Sequence, residues 1–221
     1  MIAIIGAMEE EVAYFKANMD ILETITKASF TFLVGSFSSK KIVVVKSGIG
    51  KTAAAVCTQC VIDTFNPSFI INTGIAGSLN DSLEIGDVVV GAEISYHDVD
   101  VTAFGYVKNQ IPGAAVLFKS SNNLSKIAFK FGAKKGKIAT GDSFIADDSL
   151  KIKIKDETNA DLVDMESASI AHTATLNGAN FIIIRSVSDK ASSSANVDFK
   201  ENIQVAVKSA IKITEELVKN V

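Results

Sequence analysis

The sequence predicts an α/β fold, a β-sheet covered by helices, on three observations. Phe181–Ile184 is an apolar run with three β-branched residues, which is typical of a strand buried on both faces. Two glycine-rich stretches, Ser47–Thr52 and Thr73–Ser78, each follow a hydrophobic strand and indicate a crevice lined by backbone groups. A chain of 221 residues without linker, repeat or low-complexity tract is long enough to bury one core. We therefore expect a single domain over residues 1–221.

The apolar run ends abruptly in polar residues, from Arg185 to Asp189. Arg185 is the only arginine among 22 basic residues. Its guanidinium is a rigid, permanently charged donor suited to carboxylates or to an ordered water. In open α/β sheets ligands bind at the carboxyl ends of strands, so charge at this position indicates a site. An ordinary ion pair at a strand end is the alternative, and the sequence leaves both open.

Hydrophobic periodicity predicts strands and helices along the first half of the chain. Val12, Phe15 and Met19 recur at helical spacing, which predicts a helix from Glu9 to Met19. Three glutamates at its start suit the helix dipole, although one of them could instead point into a cleft. The other elements predicted in this half are strands at Ile2–Ile5, Ser29–Val34, Lys41–Lys46, Phe69–Asn72 and Asp87–Ala92, a turn at Gly35–Ser39 and a helix ending near Phe65.

The second half gives less regular signals. Lys151–Lys155 alternates like an exposed strand, and a helix there is the alternative. Glu166 stands at the start of a small-residue helix, either as a helix N-terminal charge or as a carboxylate facing a ligand. The other elements predicted here are helices at Asn123–Phe131, Ser167–Leu176 and Asp198–Lys219, a strand at Gly136–Thr140 and loops at Gly141–Ile145 and Ala191–Asn196.

The glycine-rich stretch Ser47–Thr52 looks like the end of a phosphate-binding loop. That motif requires a glycine where Val45 stands, so the stretch does not indicate a nucleotide triphosphatase. A turn that brings backbone groups close to a small ligand remains possible.

The segment from Glu93 to Leu117 has no periodicity of its own. Long connections of this kind usually serve function or an interface. His97 beside Asp98 is either a catalytic pair or a surface histidine with an acidic neighbour, and we assign neither residue any chemistry.

Composition narrows the class of protein. A hydrophobic content of 48%, a charged content of 21% and a net charge of −3 fit a globular protein and give no electrostatic case for nucleic acid or an anionic membrane. No apolar run approaches the roughly 18 residues of a membrane span, and the N-terminus lacks a basic lead-in, so we expect a cytoplasmic protein. Cys57 and Cys60 have the spacing of a metal half-site, but nothing completes it, and we expect small buried helix residues.

Seven short segments carry the polar and glycine-rich residues that strands and helices alone leave unexplained. They follow one another from the first strand to the strand before the final helix. The segments are Gly6–Val12, Ser47–Lys51, Asn72–Gly74, His97–Tyr106, Gly141–Ile145, Met165–Glu166 and Arg185–Asp189.

In this order the seven segments resemble the bacterial methylthioadenosine/S-adenosylhomocysteine nucleosidases of the nucleoside phosphorylase superfamily. The resemblance extends from near Met1 to the final helix. It implies a single three-layer α/β/α sandwich around a mixed central β-sheet, working as a homodimer without metal or organic cofactor. It also implies a reaction: hydrolysis of the bond between adenine and ribose, which releases adenine and a 5-thio-substituted ribose.

The resemblance also implies a role for each polar site residue. Glu11 would take a proton from the attacking water, and Arg185 would orient that water or the acids around it. Glu166 would accept hydrogen bonds from the ribose hydroxyls. Asp189, held by Ser188, would protonate the purine N7 and accept from the adenine amino group, and its pKa should be raised by partial burial.

Apolar residues complete the substrate site that the resemblance implies. Phe144 would stack on the purine, with Ile145 supplying backbone contacts to the base edge, and Met165 precedes the ribose-binding glutamate. The slot for the 5′ alkylthio group would be lined by Met8, Ile49 and Phe199, with Val101, Phe104 and Pro112 reaching in from the partner subunit.

One position departs from the family pattern. Ile75 stands where some members have serine or threonine near the attacking water, and turnover should be lower if that hydroxyl contributes. Two other functions stay open: a purine nucleoside phosphorylase that uses phosphate, and a nucleoside-binding protein of the same fold without activity. A phosphorylase holds its phosphate with several arginines, whereas this chain has one.

Overall fold

Ten β-strands form one mixed sheet in the computed structural model, which describes residues 1–221. The sheet contains both parallel and antiparallel strand pairs. The strands are β1 (Ile2–Gly6), β2 (Asp20–Lys27), β3 (Phe30–Phe37), β4 (Lys40–Lys46), β5 (Phe69–Ser78), β6 (Val88–Tyr96), β7 (Phe118–Lys119), β8 (Lys134–Thr140), β9 (Leu162–Asp164) and β10 (Phe181–Asp189).

Six α-helices cover the sheet in two layers, so the predicted three-layer α/β/α sandwich is confirmed. Helices α2 and α5 pack on one face, and α1, α3 and α6 pack on the other. Cys57 is fully buried in α2 and Cys60 is partly buried. No helix is long and apolar enough to cross a membrane. The helices are α1 (Glu9–Asn18), α2 (Lys51–Phe65), α3 (Asn122–Lys130), α4 (Asp148–Thr158), α5 (Ser167–Leu176) and α6 (Ala195–Lys219).

The sheet closes on itself around β10. This strand pairs in parallel with β5 and antiparallel with β6, and β6, β8, β9 and β5 follow one another to complete a ring. From β5 the sheet continues outward through β1, β4, β3 and β2. All nine residues of β10 are buried, as expected for a strand between two helical layers. Its register places Arg185 beside Gly74 of β5.

The last residues of several strands converge on one region. β1 runs parallel to both of its neighbours, β4 and β5, and β1 and β4 end in the short loops before α1 and α2. β9 ends at Asp164 and leads into α5, and β10 ends at Asp189. These loops and strand ends supply the groups of the candidate site.

The alternation over Lys151–Lys155 gave a wrong prediction, because this segment belongs to α4. The side chain of Asp147 accepts a hydrogen bond from the Leu150 backbone N–H and caps the helix. Only Ile154 is buried on α4, while Ile152 is 60% exposed. The helix therefore contacts the core through one isoleucine, whereas a strand would place both isoleucines on the same face.

Several strands extend further than their patterns indicated. β3 continues through Gly35 to Phe37, and the turn is only Ser38-Ser39, both at positive φ. The glycine-rich segment after Asn72 is part of β5 rather than a loop. Asp20–Lys27, where no strand was predicted, forms β2 by pairing with β3 at the edge of the sheet.

Candidate active site

One cavity lies where the strand ends meet, and four carboxylates belong to its lining, among them the three that the sequence predicted: Glu11, Glu166 and Asp189. They come from three distant parts of the chain, as the sequence predicted, and all three are buried. The remaining lining is mainly apolar or backbone. It consists of Ala7, Met8, Ile49, Ile75, Ala76, Gly77, Phe144, Val163, Asp164, Met165, Ser188 and Phe199.

Glu11 is fixed by three backbone N–H groups. In the first turn of α1, its Oε2 accepts hydrogen bonds from Ala7 N at 2.6 Å and Met8 N at 3.0 Å. Its Oε1 accepts from Ile75 N, on β5, at 3.1 Å. Burial raises the pKa of Glu11, although Arg185 and the three amides act in the opposite direction. The side chain is therefore held in one orientation and is a stronger base than an exposed glutamate.

Gly74 allows Glu11 and Arg185 to approach each other. A Cβ at position 74 would lie 2.6 Å from Glu11 Oε1 and 2.9 Å from Arg185 Nη1. A Cβ atom cannot lie this close to an oxygen or a nitrogen atom unless one of the two groups moves away. The glycine of this strand is thus required by the site rather than by a turn.

Arg185 lies behind the cavity wall. Its side chain is 1% exposed, its Nε donates to Asp164 Oδ2 at 2.7 Å, and its Nη2 lies 3.7 Å from Glu166 Oε2. Arg185 therefore forms an ion pair at the strand end, and its partners Asp164 and Glu166 line the cavity, whereas a functional role for Arg185 stays a prediction.

Asp164 is the charged residue that the sequence analysis missed. It accepts hydrogen bonds from Thr140 Oγ1 at 2.6 Å, from the Ser167 hydroxyl and from Arg185. These contacts join β8, β9, α5 and β10 below the cavity. Its position two residues before Glu166, at the end of the apolar Leu162-Val163, is the signal that could have identified it.

Glu166 lies between a like charge and a positive charge. Burial, and next the neighbouring Asp164, raise the pKa of Glu166 to about 7, while Arg185 and the Gly50 N–H lower it. The Gly50 N–H donates to Glu166 Oε1 at 2.9 Å. The glycine-rich turn before α2 therefore brings a backbone group to the site, which was one of the two possibilities for that motif.

Asp189 ends β10 on the opposite side of the cavity. Ser188 Oγ donates to its Oδ2 at 2.8 Å, and Ala191 N donates to its Oδ1 at 2.9 Å. Burial raises the pKa of Asp189, and these two hydrogen bonds lower it, with burial prevailing. A raised pKa favours the protonated form of this carboxyl group, which is the form that a general acid requires.

Aromatic and aliphatic side chains surround the mouth of the cavity. The rings of Phe144 and Phe199 meet edge to face at 5.8 Å between centroids. Met8, Ile49 and Met165 lie in the same lining, and Ile145 is buried in a smaller adjoining cavity.

The three residues predicted to act across a subunit interface lie apart from this lining. Val101, Phe104 and Pro112 belong to the long connection between β6 and β7, and Phe104 is 81% exposed. Their proposed role requires a second subunit.

Comparison with known proteins identifies the family to which this chain belongs. The model of the phosphorylase superfamily matches residues 1–219. A 5′-methylthioadenosine/S-adenosylhomocysteine nucleosidase of Staphylococcus haemolyticus is 43% identical, with 99% of each chain covered. This chain belongs to that nucleosidase family.

Solved structures extend the comparison. The nucleosidase of Neisseria meningitidis in complex with methylthio-immucillin-A superposes with a TM-score of 0.96 at 37% identity, covering 100% of this chain and 99% of that one. A futalosine hydrolase of Helicobacter pylori has a TM-score of 0.95 at 31% identity, covering 100% and 97%. The nucleosidase family and a hydrolase of another nucleoside thus share this fold.

Proposed function

We propose that this nucleosidase hydrolyses the N-glycosidic bond of 5′-methylthioadenosine and S-adenosylhomocysteine, releasing adenine and the 5-thio-substituted ribose. The observation that carries the proposal is that Glu11, Glu166 and Asp189 line one cavity with an apolar mouth. Relatives named for this activity cover 99% and 100% of this chain, which supports the same assignment.

Glu11 is the proposed general base. Breaking the glycosidic bond produces an oxocarbenium-like sugar, and a water must attack as the base departs. The raised pKa of Glu11 favours uptake of the water's proton, and its three amide contacts fix the direction in which it acts. Arg185 lies beside Glu11 and compensates its charge, which orients the carboxylate for the water.

Asp189 is the proposed general acid. Its raised pKa lets it hold a proton for the purine N7, and loss of the neutral base follows that transfer. The other carboxyl oxygen can accept from the adenine amino group. A 6-oxo purine offers an acceptor in that place, so adenine is the favoured base.

Glu166 is the proposed ribose ligand. Its Oε1 already accepts from Gly50 N, which leaves Oε2 and the second lone pair of Oε1 for the sugar hydroxyls. The proximity of Arg185 stabilises the ionised form that accepts two hydrogen bonds.

The apolar residues account for the two ends of the ligand. Phe144 stacks on the purine and Ile145 offers backbone groups to its edge, while Met8, Ile49 and Phe199 receive the alkylthio group. Val101, Phe104 and Pro112 complete this slot from the partner of a homodimer. The enzyme is proposed to be cytoplasmic.

Phosphorolysis is the closest alternative reaction. The single arginine is already paired with Asp164 and lies behind the wall, and the lining charges at the proposed nucleophile site are carboxylates, which repel phosphate. Adenine release from methylthioadenosine should therefore proceed without phosphate and should not accelerate when phosphate is added. Strict dependence on phosphate would replace hydrolysis with phosphorolysis, and no release under either condition would leave a binding protein.

Substrate preference calls for one further comparison, since a futalosine hydrolase shares the fold. Steady-state kcat/KM on methylthioadenosine, S-adenosylhomocysteine, 5′-deoxyadenosine and futalosine ranks the four. The apolar slot favours the methylthio compound, and a clear preference for futalosine would reassign the substrate.

A further inference from the structure

Two motifs of the sequence take no part in the chemistry proposed above: His97-Asp98 and the Lys51 that follows the glycine-rich turn. In the structure they meet. Lys51 Nζ donates to Asp98 Oδ2 at 2.5 Å, and the same oxygen accepts from Asp142 N at 3.0 Å. We call Lys51, Asp98 and Asp142 the loop clamp.

The loop clamp also controls the start of α2. Asp142 Oδ1 accepts from the backbone N–H of Lys51 at 2.8 Å and so caps the helix from 91 residues away in sequence. Gly50, which has no side chain to cap with, has φ of 96°, and a Cβ there would lie 3.1 Å from Asp142 Oδ1. The glycine thus admits the remote carboxylate to the helix N-terminus.

The neighbouring amide faces the site. Gly50 N donates to Glu166 Oε1 at 2.9 Å, one residue before the amide that Asp142 holds. Two consecutive N–H groups at the start of α2 are therefore bound by two carboxylates, one outside the cavity and one in its wall. Each peptide unit is planar, and the two units that carry these N–H groups meet at the Gly50 Cα, so a displacement of the Lys51 amide reaches the Gly50 amide through only the φ and ψ of Gly50.

The clamp is anchored to the loop that carries the purine-stacking residue. Asp142 precedes Phe144 by two residues, and His97 N donates to Thr140 O at 2.9 Å, which fixes the position of Asp98. His97 also packs so closely on Gly141 that a Cβ there would lie 2.4 Å from the His97 ring. Lys51 Nζ further lies 5.6 Å above the Tyr96 ring.

We propose that Asp98 and Asp142, acting through Lys51 and Gly50, are positioning residues that set the ribose-binding Glu166 and the Phe144 loop for substrate. The inference rests on the proposed function. The hydrogen bonds of Glu11, Asp189 and Arg185 involve the loop after β1, the strands β5, β9 and β10 and the loop after β10, and none involves a residue of the loop clamp. Loss of the clamp should therefore weaken substrate binding while largely sparing the chemical step.

The experiment compares Asp98→Ala with Asp87→Ala by steady-state kinetics on methylthioadenosine. Asp87 is a matched control: its Oδ2 also accepts from one lysine, Lys134 at 2.6 Å, and one backbone amide, Glu84 N at 2.8 Å. The two side chains are 26% and 24% exposed. Asp98→Ala should raise KM about tenfold, the scale of losing a hydrogen bond to a charged group, with kcat changed less than about threefold. Asp87→Ala should leave both constants near the wild-type values.

Two additional readouts separate positioning from a merely structural role. Asp98→Asn keeps one acceptor and should restore part of the KM. Burial, Asp164 and Glu11 raise the pKa of Glu166, whereas the Gly50 N–H lowers it. If Asp98→Ala weakens the Gly50 contact, the pKa of Glu166 rises further, and the acidic limb of the kcat/KM profile should move to higher pH. A KM within about twofold of wild type, or a drop in kcat alone with an unmoved profile, overturns the proposal.

Amide hydrogen exchange makes the test independent of the reaction. Exchange at Gly50 and Lys51 should become faster in Asp98→Ala and not in Asp87→Ala, measured on the full chain without substrate. If wild-type protein releases no adenine from methylthioadenosine, the proposed function fails, and exchange still decides whether the clamp holds these amides. Unchanged exchange in Asp98→Ala would show that the loop clamp does not hold these two amides.

Discussion

The Nε atom of Arg185 lies 2.7 Å from Oδ2 of Asp164, and the two side chains are 1% and 2% exposed. Such a pair has lost its hydration and depends on further hydrogen bonds to offset that cost. Thr140 and Ser167 supply these bonds to Asp164. The pair therefore forms the base on which Glu166 and Glu11 are arranged.

Removing one partner of this pair should be costly. We expect Asp164→Ala to lower the free energy of unfolding by about 3–5 kcal/mol, because the buried Arg185 loses the carboxylate to which its Nε donates. Denaturant titration followed by circular dichroism measures it. Asp87→Ala, which removes a surface ion pair, should cost about 1 kcal/mol or less and serves as the control. Equal costs for the two variants would contradict this account of Arg185.

The general base and general acid can be tested by isosteric amides. We expect Glu11→Gln and Asp189→Asn each to lower kcat about 10²-fold or more, the usual scale for acid–base groups. In Glu11→Gln the side-chain NH2 group faces at least one of the three backbone N–H donors, and two donors cannot form a hydrogen bond. The variant protein should therefore also be less stable. Glu10→Gln, an exposed neighbour in the same helical turn, should behave like wild type. A folded variant with near-normal kcat would remove that residue from the mechanism.

Glu166 should make stability depend on pH. Its pKa is about 7 in the folded protein and has a reference value of 4.5, so the folded state binds more protons between these values. Stability should therefore decrease as pH rises from about 4.5 to about 7, an effect that the raised pKa values of Glu11 and Asp189 reinforce. Glu166→Gln keeps the acceptor for Gly50 N and should flatten this part of the profile. Parallel profiles of melting temperature against pH for the two proteins would count against the raised pKa.

The fold, and the position of three acids around one cavity, could be predicted from the sequence because local patterns indicate strands and strand ends. An apolar β-branched run such as Phe181–Ile184 can be satisfied only inside a sheet, and polar residues directly after it must lie at the strand end. Family segments then relate Glu11, Glu166 and Asp189 to one ligand, and the structure places them around one cavity.

Contacts between segments that are distant in the chain could not be predicted from the sequence. Asp164 looked like any strand-end acid, because its partners Thr140 and Arg185 are 24 and 21 residues away. The cap that Asp142 gives to α2 spans 91 residues and has no local signature. The strand interpretation of Lys151–Lys155 was wrong for a different reason. With alternating lysine and isoleucine, a strand and a helix both expose most of the side chains, and the cap from Asp147 favours the helix.

Gly74 offers a test of the close approach between Glu11 and Arg185. We expect Gly74→Ala to lower kcat at least about tenfold, because the added Cβ would displace both charged groups. Gly91→Ala is the matched control: its Cβ would lie 2.8 Å from Ile138 Cδ1, an equal crowding in the core away from the cavity. It should lower the melting temperature and leave kcat unchanged. Similar kinetic losses in both variants would indicate a general packing defect.

Phe104 tests whether the long connection completes a site across the proposed homodimer. In this chain it is 81% exposed and lies outside the cavity lining, so a role in binding requires a partner. We expect Phe104→Ala to raise KM about tenfold through loss of apolar contact with the alkylthio group.

Mixing provides the decisive measurement. Subunits of Phe104→Ala and Asp189→Asn, unfolded together and refolded, should form mixed dimers in which one site has both native residues: Asp189 from one chain and Phe104 from the other. Activity at low substrate should therefore exceed the sum of the two parent variants, with separately refolded parents as the control. If Phe104 acted within its own chain, every site would carry one defect and no gain would follow.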